Sequence, residues 1–199
     1  FYYGIEPPAD LLNQYVDPST GDDNNSGTRA SPLRTVARAV NRIKAGTYGN
    51  IYLKEDQVHL ISSQSAWNYA NISIFSYGPG CDSLIAAGAM ASCNWRFFGA
   101  KIAPKATIQF NYTMTDATGL LTGRCIGVGS GYNINFYGIN FVTTTQSGLY
   151  VGSGWEAGIG SNLNKDPGGQ SYSFCDCTMV INNGYIVGFM PNTSIVIER

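Results

Sequence analysis

The feature that most constrains the fold is an internal match. The segment Asn133-Ile134-Asn135-Phe136-Tyr137-Gly138-Ile139-Asn140-Phe141-Val142 aligns without gaps on Ser171-Tyr172-Ser173-Phe174-Cys175-Asp176-Cys177-Thr178-Met179-Val180. Each copy reads as two short strands flanking a bend, at Tyr137-Gly138 and at Cys175-Asp176. Strand alternation puts Ile134, Phe136, Ile139 and Phe141 on one face, and Tyr172, Phe174, Cys177 and Met179 on the equivalent face of the second copy. A two-strand unit cannot bury its apolar face alone, so repeated units stack. The alignment therefore predicts that the second copy lies on the first as consecutive coils of a parallel β-solenoid. The offset of 38 residues exceeds a bare coil, and Gly152 to Gln170, rich in Gly, Ser and Asn, is expected to protrude as a loop. A hairpin meander would need two-residue Asn-Gly or Asp-Gly turns between neighbouring strands, and Asn183-Gly184 is the exceptional candidate.

Composition agrees with many short strands joined by tight turns. Of 199 residues, 24 are Gly and 13 are Tyr, and aromatics make up 13%. Charged residues also make up only 13% and the net charge is −1, so the chain lacks the field that grips nucleic acid or an anionic membrane. No apolar run approaches the ~18 residues that cross a bilayer, and membrane insertion is not expected. The chain opens at Phe1 without Met and stops at Arg199 directly after Ile195-Val196-Ile197, which suggests a piece of a longer protein or a covered C-terminal end.

Three regions are expected. Residues 1–30 read as an irregular lead-in, dense in Gly, Asp and Asn around Asp17-Pro18 and Gly21-Asp22-Asp23-Asn24-Asn25. Residues 31–46 read as a helix that caps the solenoid. Ser31 is its expected N-cap, Pro32 its first residue and Gly46 its end. Leu33, Val36, Ala39, Val40 and Ile43 form its apolar stripe, and Arg34, Arg38, Arg42 and Lys44 are expected on a solvated outer face. Residues 47–199 then read as coils. Ile51-Tyr52-Leu53, Val58-His59-Leu60-Ile61, Asn71-Ile72-Ser73-Ile74-Phe75-Ser76, Thr107-Ile108-Gln109-Phe110 and Cys125-Ile126-Gly127-Val128 supply strands ahead of the repeat.

Five cysteines (Cys81, Cys93, Cys125, Cys175, Cys177) are an odd number for a disulfide framework, and neither a CxxC pair nor a second histidine beside His59 suggests zinc. Small buried hydrophobes is the reading adopted, with Cys175 and Cys177 on one strand face and a Cys81–Cys93 bridge left open. No metal or cofactor is expected. Asp22 and Asp23 are read as turn formers, with a calcium-ligand role as the open alternative.

The run Val16-Asp17-Pro18, Gly21-Asp22-Asp23, Gly27-Thr28, Ser31-Pro32-Leu33 and Thr35-Val36-Ala37-Arg38-Ala39-Val40 resembles the start of pectate-lyase-like right-handed parallel β-helices. Among these it is most similar to tail fibres and tailspikes of tailed bacteriophages. The resemblance implies an all-β, right-handed parallel β-helix with one N-terminal capping α-helix. It also implies a homotrimer in the phage tail, working outside the cell beside other tail components and contacting a bacterial surface polysaccharide as host receptor. Handedness agrees with the crossover rule.

Receptor binding without catalysis is the expected function. Trp155, Tyr132, Trp67, Tyr69 and Trp95 are the candidate carbohydrate contacts, helped by Asn and Ser side chains that bond hydroxyls. The alternative is a depolymerase, a hydrolase or lyase, acting on capsule or O-antigen. Two carboxyls about 5 Å or ~6.5–9.5 Å apart would serve hydrolysis. Of Glu55, Asp56, Asp116, Glu156, Asp166 and Asp176, the candidates are Glu156, beside Trp155, and Asp176, at a bend. A lyase base would come from His59, Lys54 or Tyr52, a grouping weakened because Lys54 and Tyr52 share one strand face while His59 lies beyond Glu55-Asp56.

Overall fold

The structure is a computed structural model that describes residues 12–43, 48–61, 65–66, 71–81, 105–110, 126–127, 133–143, 171–175, 177–181 and 194–198. Strand β1 (Leu12–Val16) precedes helix α1 (Val36–Arg42). Then follow β2 (Tyr48–Lys54), β3 (Val58–Ile61), β4 (Ser65–Ala66), β5 (Asn71–Tyr77), β6 (Ala106–Phe110) and β7 (Ile126–Gly127). The last five are β8 (Asn133–Tyr137), β9 (Ile139–Thr143), β10 (Ser171–Cys175), β11 (Thr178–Ile181) and β12 (Ser194–Glu198).

The fold is all-β and its ladders are parallel. One sheet has six strands in the order β1-β2-β5-β8-β10-β12, a second has four in the order β11-β9-β6-β3, and β4 pairs with β7. From β8 onward the chain visits the two large sheets in turn. Parallel neighbours cannot be joined by hairpins, so every return to a sheet is a crossover.

The internal match is realised residue by residue. Ile134 pairs with Tyr172 and Phe136 with Phe174 in the six-stranded sheet, while Asn140 pairs with Thr178 and Phe141 with Met179 in the four-stranded one. The bend between β8 and β9 falls at Gly138, whose φ of 65° favours glycine. Beside it the buried Ser76 hydroxyl donates to the Gly138 carbonyl at 2.8 Å and accepts from the Ala106 amide at 2.9 Å. One side chain thus links the end of β5 and the start of β6 to the bend between β8 and β9.

Between the sheets lies one apolar cluster. Ile51, Ile74, Phe136 and Phe174 occupy consecutive register positions of the six-stranded sheet, and Ile108 and Phe141 occupy facing positions of the other. Phe136 stacks on Phe174 with centroids 5.2 Å apart and meets Phe141 edge-on at 5.1 Å. Cys177 and Met179 pack against the same cluster. Cys175 closes β10 and Cys177 lies between β10 and β11, so the two are not in one strand as expected. Cys93, the other half of the open bridge to buried Cys81, lies outside the described residues.

At the N-terminal end the expected boundaries move. The six-stranded sheet begins within residues 1–30, because β1 pairs with β2 ahead of the helix. A buried polar residue hid this strand: Gln14 takes the inward position between outward Asn13 and Tyr15, so the apolar alternation is broken. The other edge of β1 is also covered. Tyr15 donates its amide to Gly27, Leu33 donates to Tyr15, and Asp17 donates to Leu33, each at 2.8 Å. An edge so paired cannot template another strand.

That pairing also shortens the helix. Leu33 is held extended by its bridge to Val16, so Ser31 and Pro32 cannot be the cap and first turn. Thr35 is the N-cap, its hydroxyl accepting from the Arg38 amide, and Ile43 is an extended C-cap. The Asp23 carboxylate accepts from the amides of Arg34 and Thr35 and from the Thr35 hydroxyl, which fixes where helical geometry starts. Val36, Ala39, Val40 and Ile43 are buried as the stripe predicts, against β1, β2 and β3.

The arginine face is more than solvated. Arg34 donates to the Gly21 carbonyl at 2.9 Å, Arg38 to the Asp23 carbonyl at 3.1 Å, and Arg42 to that of Asn25. Three side chains at four-residue spacing thereby pin three alternate carbonyls of the turn-rich stretch. Asp22 accepts from the Asn24 amide and, like Asp23, shapes a turn. The tightest point is Gly21, where an added Cβ would meet the Leu33 carbonyl oxygen at 2.2 Å and that of Asp17 at 2.5 Å. Both obstacles are backbone. Gly21→Ala is expected to destabilise the protein by ~1–3 kcal/mol, read as a lowered urea midpoint at constant m-value.

Candidate functional site

With the inward positions of the six-stranded sheet filled by apolar side chains, its chemistry lies on the outward ones. They form two parallel rows. Asn13, Asn50, Ser73, Asn135 and Ser173 pair in register across β1, β2, β5, β8 and β10. Two residues further along each strand, Tyr15, Tyr52, Phe75 and Tyr137 form the second row. The rows run about 7 Å apart and repeat at the strand spacing of about 4.8 Å.

The polar row is partly self-bonded. Asn50 donates to the Asn13 side-chain oxygen at 3.0 Å and Asn135 to the Ser73 hydroxyl at 3.3 Å. Amides and hydroxyls have more donor and acceptor sites than these bonds use, so the row keeps capacity for a ligand. In the second row each ring stacks on the next, with centroids 4.6, 5.4 and 4.8 Å apart and interplanar angles of 13°, 22° and 6°. The ring faces are thus spent on one another. What the row presents away from the sheet is ring edges and the hydroxyl tips of Tyr15, Tyr52 and Tyr137, of which that of Tyr52 accepts from the Asn50 amide at 3.4 Å. Phe75 is buried with Cys81 between the half-buried Tyr52 and Tyr137.

At the N-terminal corner of this face, Tyr77 pairs in register with Lys54. The Lys54 ammonium lies 5.3 Å and the Arg29 guanidinium 5.7 Å from the Tyr77 ring centroid, and Tyr15 meets that ring edge-on at 5.1 Å. Burial, with the Asp17 charge adding to it, pushes the Tyr77 phenol up to about 12 against the opposing pull of Arg29. Asp17 itself is pushed up by burial, but hydrogen bonds from Ser19 and Thr20 outweigh this and hold it below the usual carboxylate value.

Trp155, Tyr132, Trp67, Tyr69 and Trp95 lie outside the described residues, as do the catalytic candidates Glu156 and Asp176 and the lesser ones Asp116 and Asp166. Glu55 is described and is buried, its two oxygens accepting from the amides of Gly80 at 2.8 Å and Cys81 at 3.1 Å, so it holds a turn. Asp56 occupies the turn after β2 at a φ of 58°. His59 is 1% exposed on the inner face of β3, so it cannot act as a base toward a polymer outside, whereas Tyr52 and Lys54 do share the outer face of β2. Among the described residues, no three His, Cys, Asp or Glu side chains come together to hold a metal.

Sequence reasoning passed over the two rows, although a signal exists. Asn13-Gln14-Tyr15, Asn50-Ile51-Tyr52, Ser73-Ile74-Phe75 and Asn135-Phe136-Tyr137 all place an amide or hydroxyl two residues before a ring. Comparison with protein-family models, with curated proteins and with solved structures found no match.

Proposed function

We propose that the chain is a segment of a right-handed parallel β-helix that binds a bacterial surface polysaccharide, in the manner of a phage tail fibre or tailspike. The observation that carries the reading is the outward face of the six-stranded sheet, with its regular polar row beside a hydroxyl-tipped aromatic row. A polysaccharide is itself a periodic array of hydroxyls, and a fixed lattice of amides and hydroxyls meets it with donors and acceptors that need no rearrangement. Continuous winding is supported by the in-register match and by the chain's alternation between the two large sheets. The helix α1 over β1, β2 and β3 serves such a winding as its lid.

The homotrimer implied by the resemblance is part of the same proposal. Its support is the outward face of the four-stranded sheet, where Val58, Leu60 and Val180 are 46%, 53% and 49% exposed. Thr107, Gln109, Asn140, Val142 and Thr178 complete that face without a charge. A second copy of this chain is the proposed occupant, since interface centres are depleted in charge. Leu60→Asp with Val180→Asp is expected to lower the mass in solution from trimer to monomer.

Binding is tested by titrating host surface polysaccharide into the protein and into the double variant Asn50→Ala, Asn135→Ala. Each lost hydrogen bond is worth ~0.5–1.5 kcal/mol, so the pair is expected to weaken binding roughly tenfold or more. Incubation with the polysaccharide is expected to release neither new reducing ends nor unsaturated uronate. Turnover abolished by Glu156→Gln or Asp176→Asn would replace the receptor reading with a depolymerase.

A further inference from the structure

We propose that Tyr15 and Tyr52 are an oxidative cross-linking site, at which one-electron oxidation by a peroxide joins the two rings as a dityrosine and ties β1 covalently to β2. The inference is independent of what the outward face binds.

Position makes the pair. Tyr15 and Tyr52 are register partners on adjacent parallel strands, and their rings lie with centroids 4.6 Å apart at an interplanar angle of 13°. Both residues are half-buried, which leaves part of each open to an oxidant. Reactants held in contact behave as if at very high effective concentration, whereas radicals that must meet by diffusion are quenched first. Coupling requires the rings to turn out of parallel. The torsion that turns them is broad, and the strand spacing of about 4.8 Å keeps the two rings within reach as they do so.

The neighbours confine the reaction to this pair. Beyond Tyr52 the stack continues at 5.4 Å to Phe75, which has no phenol to oxidise and separates the pair from Tyr137. Tyr77 also meets Tyr15, edge-on at 5.1 Å, but its ring is only 6% exposed. Burial, with the Asp17 charge adding to it, also pushes the Tyr77 phenol up to about 12, so its proton is harder to remove. Tyr48 has Asn71 as its register partner and no tyrosine there.

The step balances with hydrogen peroxide as the oxidant. Each phenol gives up one electron and its hydroxyl proton, and the peroxide takes both electrons and both protons as its O–O bond breaks to yield two waters. The radicals then join through one ring carbon each, next to the carbon that bears oxygen. The hydrogens on the joined carbons leave as protons, and protons return to the two oxygens. The product has one new C–C bond, two hydrogens fewer and both hydroxyls intact, so the Tyr52 oxygen can still accept from the Asn50 amide.

The new bond closes the chain between residues 15 and 52, a span that holds the turn-rich stretch and α1. Such a link removes conformations from the unfolded chain, as a disulfide does, and clamps the lid end of the fold.

The test is oxidation of the dilute folded protein with hydrogen peroxide and a haem peroxidase, followed by dityrosine fluorescence and peptide mass mapping. The main product within one chain is expected to be a peptide pair joined through Tyr15 and Tyr52 and lighter by two hydrogens. Its urea midpoint is expected to exceed that of the unmodified protein. Tyr15→Phe and Tyr52→Phe keep a stacked ring but lose one phenol, and each is expected to lower the intrachain product roughly tenfold or more. Tyr137→Phe is expected to leave it unchanged, and urea unfolding of each variant confirms that the fold is kept. Cross-links in the folded protein that fall mainly on other tyrosines, or a yield undiminished in both phenylalanine variants of the pair, overturn the site. A joined pair with an unchanged urea midpoint overturns the clamp.

Discussion

Replacing Phe136 with alanine is expected to cost about 3–5 kcal/mol, a large share of the ~5–15 kcal/mol that holds a typical domain folded. The residue is fully buried at the centre of the register column Ile51, Ile74, Phe136 and Phe174. Its ring also touches both sheets, stacking on Phe174 and meeting Phe141 edge-on. Removing it leaves a void walled by strands on two sides, and strands locked in parallel ladders cannot close in to fill it. By contrast Tyr52→Ala, which removes a half-buried outer ring, is expected to cost ~1 kcal/mol, near the common value for a point mutation. Urea unfolding of the two variants checks the ordering. A Phe136→Ala cost below that of Tyr52→Ala would mean that the column is not the core.

Acid is expected to remove roughly 3 kcal/mol of stability between pH 6.5 and pH 4 through His59 alone. Burial lowers this imidazole from 6.5 to about 4, against the opposing effects of the Lys54 carbonyl and the Asp17 charge. The geometry explains the direction. Nε2 donates to the Lys54 carbonyl at 3.1 Å, so Nδ1 is the unprotonated nitrogen, and it has no partner among the described residues. Protonation would place a charged donor against the apolar Ile108 position, with nothing to accept from it. The folded-state value is depressed, so in this window the unfolded chain binds the proton and the folded chain does not. Stability is therefore complete above pH 6.5, falls as the pH drops, and loses this contribution fully below pH 4. Asp17 adds a separate loss lower still, since its depressed carboxyl protonates only below 3.8. His59→Gln keeps a donor for the Lys54 carbonyl and cannot titrate. Its stability is expected to be flat from pH 6.5 to pH 4 whatever its absolute value, and a slope equal to the wild type's would assign the acid sensitivity to another group.

The parallel stacking was legible because two stretches of ten residues repeat the same inward side chains around the same bend. Nothing had to be known of the loop between them for the register to follow. The start of the helix was not legible, since Ser31-Pro32 and Thr35 are both good N-terminal signals. The choice is made by long-range contacts, Leu33 on Val16 and Asp23 on Thr35, which local propensity cannot supply. Strand β1 escaped for a related reason: Gln14 is buried by its position beneath the helix end of the sheet, against its own polarity.

The outward rows are a different case. Each strand carries an amide or hydroxyl followed two residues later by a ring, but the recurrences fall at Asn13, Asn50, Ser73 and Asn135 with unequal spacing. Insertions between strands erase the period while the ladder restores it in space. Reading for large exposed aromatics favoured the tryptophans instead, and those lie outside the described residues. The arginines of α1 show the reverse error, in which side chains that look like a free basic face are engaged with carbonyls of the preceding turns.

A crystal structure of the protein soaked with oligosaccharides released from the host's surface polysaccharide tests the central claim most directly. Sugar density is predicted along Asn13, Asn50, Ser73 and Asn135 on the outward face of the six-stranded sheet, within hydrogen-bond distance of their side chains. Sugar bound on the uncharged face of β3, β6, β9 and β11, or in loops away from both rows, would contradict it.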